Sequence, residues 1–159
     1  MADDARTVAW QLGRPPRGSW RVAVRCSYAY PVVIATAPDG DPPFPTLYYL
    51  TCPHLVRAVS AIESRGGVAR WRDALTRDQA LAERLDAADA AYRAARAAEA
   101  GGPDPFARVG IAGQRDVRGV KCLHAHAAAF IAGIDDPVGA GVLADVALEC
   151  DDRRCEEAG

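Results

Sequence analysis

The chain has 159 residues, of which 50% are hydrophobic and 25% charged, and its formal net charge is -2. That balance suits one globular domain and gives no charge argument for nucleic acid as a partner. No apolar run reaches the ~18 residues of a membrane span, and the acidic opening Met1-Ala2-Asp3-Asp4 has no signal-peptide pattern, so a cytoplasmic protein without a membrane partner is expected.

Residues 3–13 are expected to form a short helix, with Val8 and Leu12 on one face, broken by Arg14-Pro15-Pro16-Arg17-Gly18. Trp20, Val22, Val24 and Cys26 alternate with Arg21, Ala23 and Arg25. That is the period-two pattern of a strand with one buried face, and it puts Cys26 on the apolar side. Arg14, Arg17, Arg21 and Arg25 then read as a solvated hairpin face. Residues 31–37 are nearly all apolar, as in a strand buried on both faces. A turn at Asp39-Gly40-Asp41-Pro42-Pro43 leads to a third strand over 46–50, which runs straight into Cys52-Pro53.

From Pro53 the spacing becomes helical, with Leu55, Val56, Val59 and Ile62 on one face, and Gly66-Gly67 ends the run. Residues 68–75 suit a further short helix. Thr76, with Gln79 three residues on, has the form of a capping box. It opens a long alanine-rich helix to about residue 100, striped by Leu81, Leu85, Ala88, Tyr92 and Ala95. Residues 103–118 read as a loop. Its Val109-Gly110-Ile111-Ala112-Gly113 lacks a phosphate-binding fingerprint. A helix is expected over 119–133, and Asp136-Pro137 starts a last one holding Val142, Leu143, Val146 and Leu148. Residues 151–159 are expected to be a mobile polar tail after a single domain over 1–150.

All three histidines and two of the five cysteines fall in two short clusters, Cys52-Pro53-His54 and Cys122-Leu123-His124-Ala125-His126. Thiols and imidazoles gathered in this way suit a zinc site, an iron–sulfur cluster or a cysteine nucleophile. In a reducing compartment five cysteines fit such chemistry better than a disulfide framework. At about 100° per residue, a regular helix over 119–133 puts Cys122 and His126 together, opposite the apolar stripe. His124 joins them only if the helix begins after it. Cys52 sits at a strand-to-helix junction, where the partial positive charge of a helix start favours a thiolate.

The chain also resembles a bacterial family catalogued as domain of unknown function 501. The matching stretches are Gln11-Leu12-Gly13-Arg14, Arg25-Cys26, Pro43 through Pro53 and Val120-Lys121-Cys122-Leu123-His124. Asp136-Pro137-Val138-Gly139 fits too, at a place where the family usually has Asn before the proline. The resemblance implies membership and brings no catalytic role with it.

These readings predict an α+β fold with a small, three-stranded, mostly antiparallel sheet packed against four to five helices. The leading functional expectation is a metal-binding protein with Cys26, Cys52, Cys122 and His126 as ligands. Cys150 competes for the fourth place, and zinc is favoured over an iron–sulfur cluster. The first alternative is a metal-free thiol enzyme with Cys52 or Cys122 as nucleophile and a nearby histidine as base. The second is an interaction module that binds a protein partner through the helix at 76–100.

Overall fold

A computed structural model describes residues 3–116 and 118–159. Helix α1 (Asp4–Leu12) is capped by Asp3, whose side chain accepts from the Ala5 N–H, and ends on Gly13 in the left-handed region. Strands β1 (Trp20–Arg25), β2 (Pro31–Thr36) and β3 (Tyr48–Leu50) follow, then helices α2 (Pro53–Ser64), α3 (Gly67–Arg77), α4 (Gln79–Ala100), α5 (Leu123–Ile131) and α6 (Pro137–Leu143). Single 3-10 turns lie at Ile111–Gly113 and Arg154–Ala158. The α+β class is as expected, with six α-helices among the described residues.

The sheet is fully antiparallel, in the order β1-β2-β3. Every residue of the central strand β2 is buried, as its unbroken apolar run requires. The neat alternation expected of β1 is interrupted. Val22 pairs with Ile34 but Val24 with Val33, and Arg25 then pairs with Pro31, so an extra residue is bulged first on β1 and then on β2. β1 ends at Arg25, so Cys26 falls in the turn to β2, where its N–H donates to the Tyr30 carbonyl (3.0 Å). Two of the four hairpin arginines pair with acids on other elements, Arg21 with Glu99 and Arg25 with Asp4.

Helix α2 starts as expected, with Cys52 at the N-cap and Pro53 in the first turn. Thr76 does not cap α4, because it is still inside α3. Asp78 does so, its side chain accepting from the Leu81 N–H (3.0 Å). The buried face of α4 is Ala82, Leu85, Ala88, Asp89, Tyr92 and Arg96, all directed into the core. The expected stripe is core packing, with Leu81 and Ala95 partly buried against the same cluster. Arg96 is fully buried and binds Asp104 (2.9 Å) and the carbonyls of Pro45, Phe106 and Val109, tying α4 to two loops.

α6 starts at Pro137 behind its Asp136 cap but stops at Leu143, so Val146 and Leu148 lie beyond it. Residues 151–159 are not a free tail. Their 3-10 turn packs on α1 with Cys155 and Ala158 buried. No described helix is long and apolar enough to cross a membrane. One hydrophobic cluster runs from β2 and β3 through α2 and α4 to α5 and α6.

Candidate metal centre

α5 begins at Leu123, three to four residues later than the periodicity suggests. Cys122 is therefore its N-cap, with extended backbone (φ -144, ψ 116), and lies outside the helix. The cap is closed from elsewhere in the chain. Glu63, in the last turn of α2, accepts the Leu123 N–H on Oε1 (2.8 Å). The same oxygen is 3.2 Å from His124 Nδ1, and Cys122 Sγ is 3.8 Å from that nitrogen. His124 Nε2 lies 3.3 Å from the Val56 carbonyl oxygen and 3.1 Å from Ser60 Oγ. Val56, Ser60 and Glu63 are spaced i, i+4, i+7 on α2, so a single helix face holds the imidazole at both nitrogens.

The donor atoms of Glu63, Cys122 and His124 all lie within 4.8 Å of one another, and all three residues are half-buried. The His124 pKa is pushed up to about 9. Hydrogen bonding to the Cys122 sulfur is the main cause, working against burial, and the Glu63 and Cys122 charges and the Val56 carbonyl add to it.

Of the four expected ligands, only Cys122 belongs to this group. His126 is buried one turn into α5 and points elsewhere, with Nδ1 2.7 Å from Asp136 Oδ2. Its Nε2 has no hydrogen-bond partner, and neither has the buried Oδ2 of Asp89. Burial raises the Asp89 pKa, while the Ile111 N–H on its other oxygen and the nearby Arg93 and His126 lower it.

Cys52 is the N-cap of the helix whose last turn carries Glu63. Eleven residues of helix separate the two by about 16 Å. Cys52 and Cys122 are therefore at opposite ends of α2, and the set Cys26, Cys52, Cys122 and His126 does not converge on one point.

Burial also raises the Cys52 pKa, outweighing the backbone N–H groups of Leu55 and His54 that favour its thiolate. The helix start alone does not make it a poised nucleophile. His54 is engaged with the Ala147 carbonyl (Nε2–O 2.7 Å). Cys26 is half-buried in the β1–β2 turn.

Sequence reasoning missed Glu63 because its partners are about sixty residues away. The only local trace was a polar line, Ser60 and Glu63, on a helix otherwise read for its apolar face.

The family model described as "Protein of unknown function (DUF501)" matches residues 22–144. The chain belongs to this family. No curated protein and no solved structure matches the chain. The matched stretch of this DUF501 protein includes Cys26, Cys52, Glu63, Cys122, His124, His126 and Asp136, and ends before Cys150.

A thiolate, an imidazole and a carboxylate at these separations are a competent ligand set for a divalent transition metal. The same three residues are poorly arranged as a catalytic triad. A triad base uses one ring nitrogen for the nucleophile and the other for the carboxylate, whereas here both partners face Nδ1.

Proposed function

We propose that this protein binds a divalent transition-metal ion, zinc foremost, through Glu63, Cys122 and His124. The observation that carries the reading is the convergence of sulfur and carboxylate on one imidazole nitrogen, Nδ1 of His124. Zinc bond lengths and tetrahedral angles put a bound sulfur and nitrogen about 3.5–4 Å apart, and a bound oxygen and nitrogen about 3.3 Å apart. The separations of 3.8 and 3.2 Å fit both.

The Val56 carbonyl supports the same reading. With the proton on Nε2 donated to that oxygen, the Nδ1 lone pair faces the centre, which is how a backbone acceptor orients a ligating histidine. Three protein ligands leave a fourth position for water or an exogenous group, the pattern of a zinc site that does more than hold a fold. Thiolate ligation also agrees with a reducing, cytoplasmic setting.

The test is to purify the protein without chelator, measure bound metal, and titrate metal-free protein with Co2+. Stoichiometric zinc and a four-coordinate cobalt spectrum with a sulfur-to-metal band are expected, and both should be weakened in Cys122→Ser and His124→Ala. A metal-free protein whose cobalt spectrum is the same in wild type and both variants defeats the reading. The three side chains would then only clamp α5 to α2.

A further inference from the structure

The sheet buries both of its faces. Val33 and Ala35 of β2 point into the main cluster, so Ile34 and Thr36 point the other way. Tyr49 of β3 lies directly opposite Ile34 and shares that second face. Helix α1 packs on β2 but stops at Leu12. Beyond its end, the loop before β1 and the loop between β2 and β3 close over the face and leave a cavity of about 60 Å³. Ile34 and Thr36, both buried, line it together with Leu12, Pro16 and Pro42. Arg14, Arg17 and Phe44 line it too but are exposed, so they form its rim. The Phe44 ring stacks on that of Tyr49, with centroids 6.3 Å apart and planes at 26°.

The two loops are fastened to each other. The Ser19 N–H donates to Asp39 Oδ1 (2.9 Å), and the Ala37 N–H donates to the Ser19 carbonyl (2.9 Å). Gly18 has a φ of +67°, and a Cβ there would sit 2.7 Å from Asp39 Oδ1, so the loops meet where only glycine fits without strain. The cavity is therefore formed before any ligand arrives.

Its charge is one-sided. Arg21 and Arg25, on the hairpin beyond, are paired with Glu99 and Asp4. Among the described residues, neither Arg14 nor Arg17 has a carboxylate oxygen within 4.0 Å, and the bond that Arg14 makes is to the carbonyl of its neighbour Pro15 (3.3 Å). No acidic residue lines the cavity. Two guanidiniums without an acid thus stand at the mouth of an apolar slot that holds a stacked aromatic pair.

We propose that this cavity binds a small aromatic carboxylate. The ring enters against Ile34, Phe44 and Tyr49, and the carboxylate stays at the rim within reach of Arg14 and Arg17. A space this small takes one end of a ring and not a large ligand. Burial of the ring supplies the affinity. The fork of a guanidinium matches the two oxygens of a carboxylate and supplies the preference for an acid. A nucleic acid would need a longer track of free cations, and the next two arginines of the hairpin are already neutralised. Binding moves no proton and makes no covalent bond. The site shares no residue with the Glu63 centre and does not depend on it.

The experiment is an NMR titration of the isotope-labelled full-length chain with 3-phenylpropionate, repeated with the neutral 3-phenylpropanamide. Saturable shifts are expected at the backbone N–H groups of Thr36, Ala37, Gly40 and Tyr49, with a dissociation constant of about 1 mM or tighter, as a ligand of this size allows. The propanamide should bind about fivefold more weakly, the effect of an ion pair at an exposed rim. Arg14→Gln/Arg17→Gln should bind both probes alike, at the weaker level, and Phe44→Ala should weaken both. All three substituted side chains are exposed, and the position of the shifts in the wild-type protein tests the site even if a variant fails to fold. No saturable shifts, or shifts centred away from the cavity, would overturn the proposal. Equal affinity of the wild-type protein for acid and propanamide would do the same, as would single-stranded RNA that shifts these N–H groups and is not displaced by 3-phenylpropionate.

Discussion

Asp136 holds His126 with one carboxylate oxygen and caps α6 with the other. Oδ2 is 2.7 Å from His126 Nδ1, and Oδ1 accepts the Val138 and Gly139 N–H groups at 2.9 and 3.1 Å. One buried side chain thus joins the middle of α5 to the start of α6, and His126 serves the core rather than the candidate metal centre.

Asp136→Ala should therefore be costly to the fold. It removes a cap and leaves a second nitrogen of a buried imidazole without a partner, a loss of about 2 to 4 kcal/mol. Urea unfolding measures this. The folded fraction should still bind zinc with wild-type affinity. A large fall in affinity with an unchanged unfolding midpoint would return His126 to the ligand set.

Gly139 lies where α5 and α6 approach most closely. A Cβ there would overlap the His126 carbonyl and crowd Phe130 Cβ at 2.7 Å. Backbone atoms cannot swing aside as a flexible side chain can, so Gly139→Ala should lower stability by about 1 to 3 kcal/mol. Thermal melting should show a clear drop, whereas the same change at Gly102, which a Cβ would leave uncrowded, should have almost none.

Tyr92 is a buried phenol whose oxygen accepts the Leu47 N–H (2.7 Å), fastening α4 to the chain entering β3. Burial pushes its pKa from 10.0 up to about 12. Because the folded value is the higher, the stabilisation is complete below pH 10 and fades as pH rises from 10 towards 12. Tyr92→Phe should cost about 1 to 3 kcal/mol at neutral pH through the orphaned N–H. It should also flatten stability across the alkaline range, as chemical denaturation at a series of pH values would reveal. Equal alkaline losses in the two proteins would show that another group governs them.

Glu63 has two roles that can be separated. As a ligand it should be needed for tight zinc binding, and as the external cap of α5 it should matter even without metal. Glu63→Gln keeps an acceptor for the Leu123 N–H but loses the charge. Its metal-free form should unfold within about 1 kcal/mol of wild type, the usual size of an exposed or half-exposed charge effect. Competition with a chelating dye should meanwhile show zinc affinity reduced by at least tenfold. Undiminished zinc affinity would remove Glu63 from the centre.

Local physics made much of this fold readable from sequence. The apolar run of β2, the proline that opens α2 and the Asp136-Pro137 start of α6 are all decided within a few residues, and they stand where expected. The misplacements have non-local causes. Nothing near Lys121-Cys122 announces that α5 starts after it, because the group that closes its first turn comes from Glu63. That late start separates Cys122 from His126 and brings in His124. The docking of the Cys155 segment on α1 depends on contacts that span most of the chain, such as Gln11 with Cys155. Pairing paired bulges with a smooth alternation of side chains was equally beyond a local pattern in β1.

α2 is only 12 residues long, too short to be stable in isolation. Anything that fastens one of its ends lowers the tendency of the whole rod to fray. The bonds that Glu63 makes to Leu123 and His124 therefore steady the far end as well, where Cys52 leaves β3.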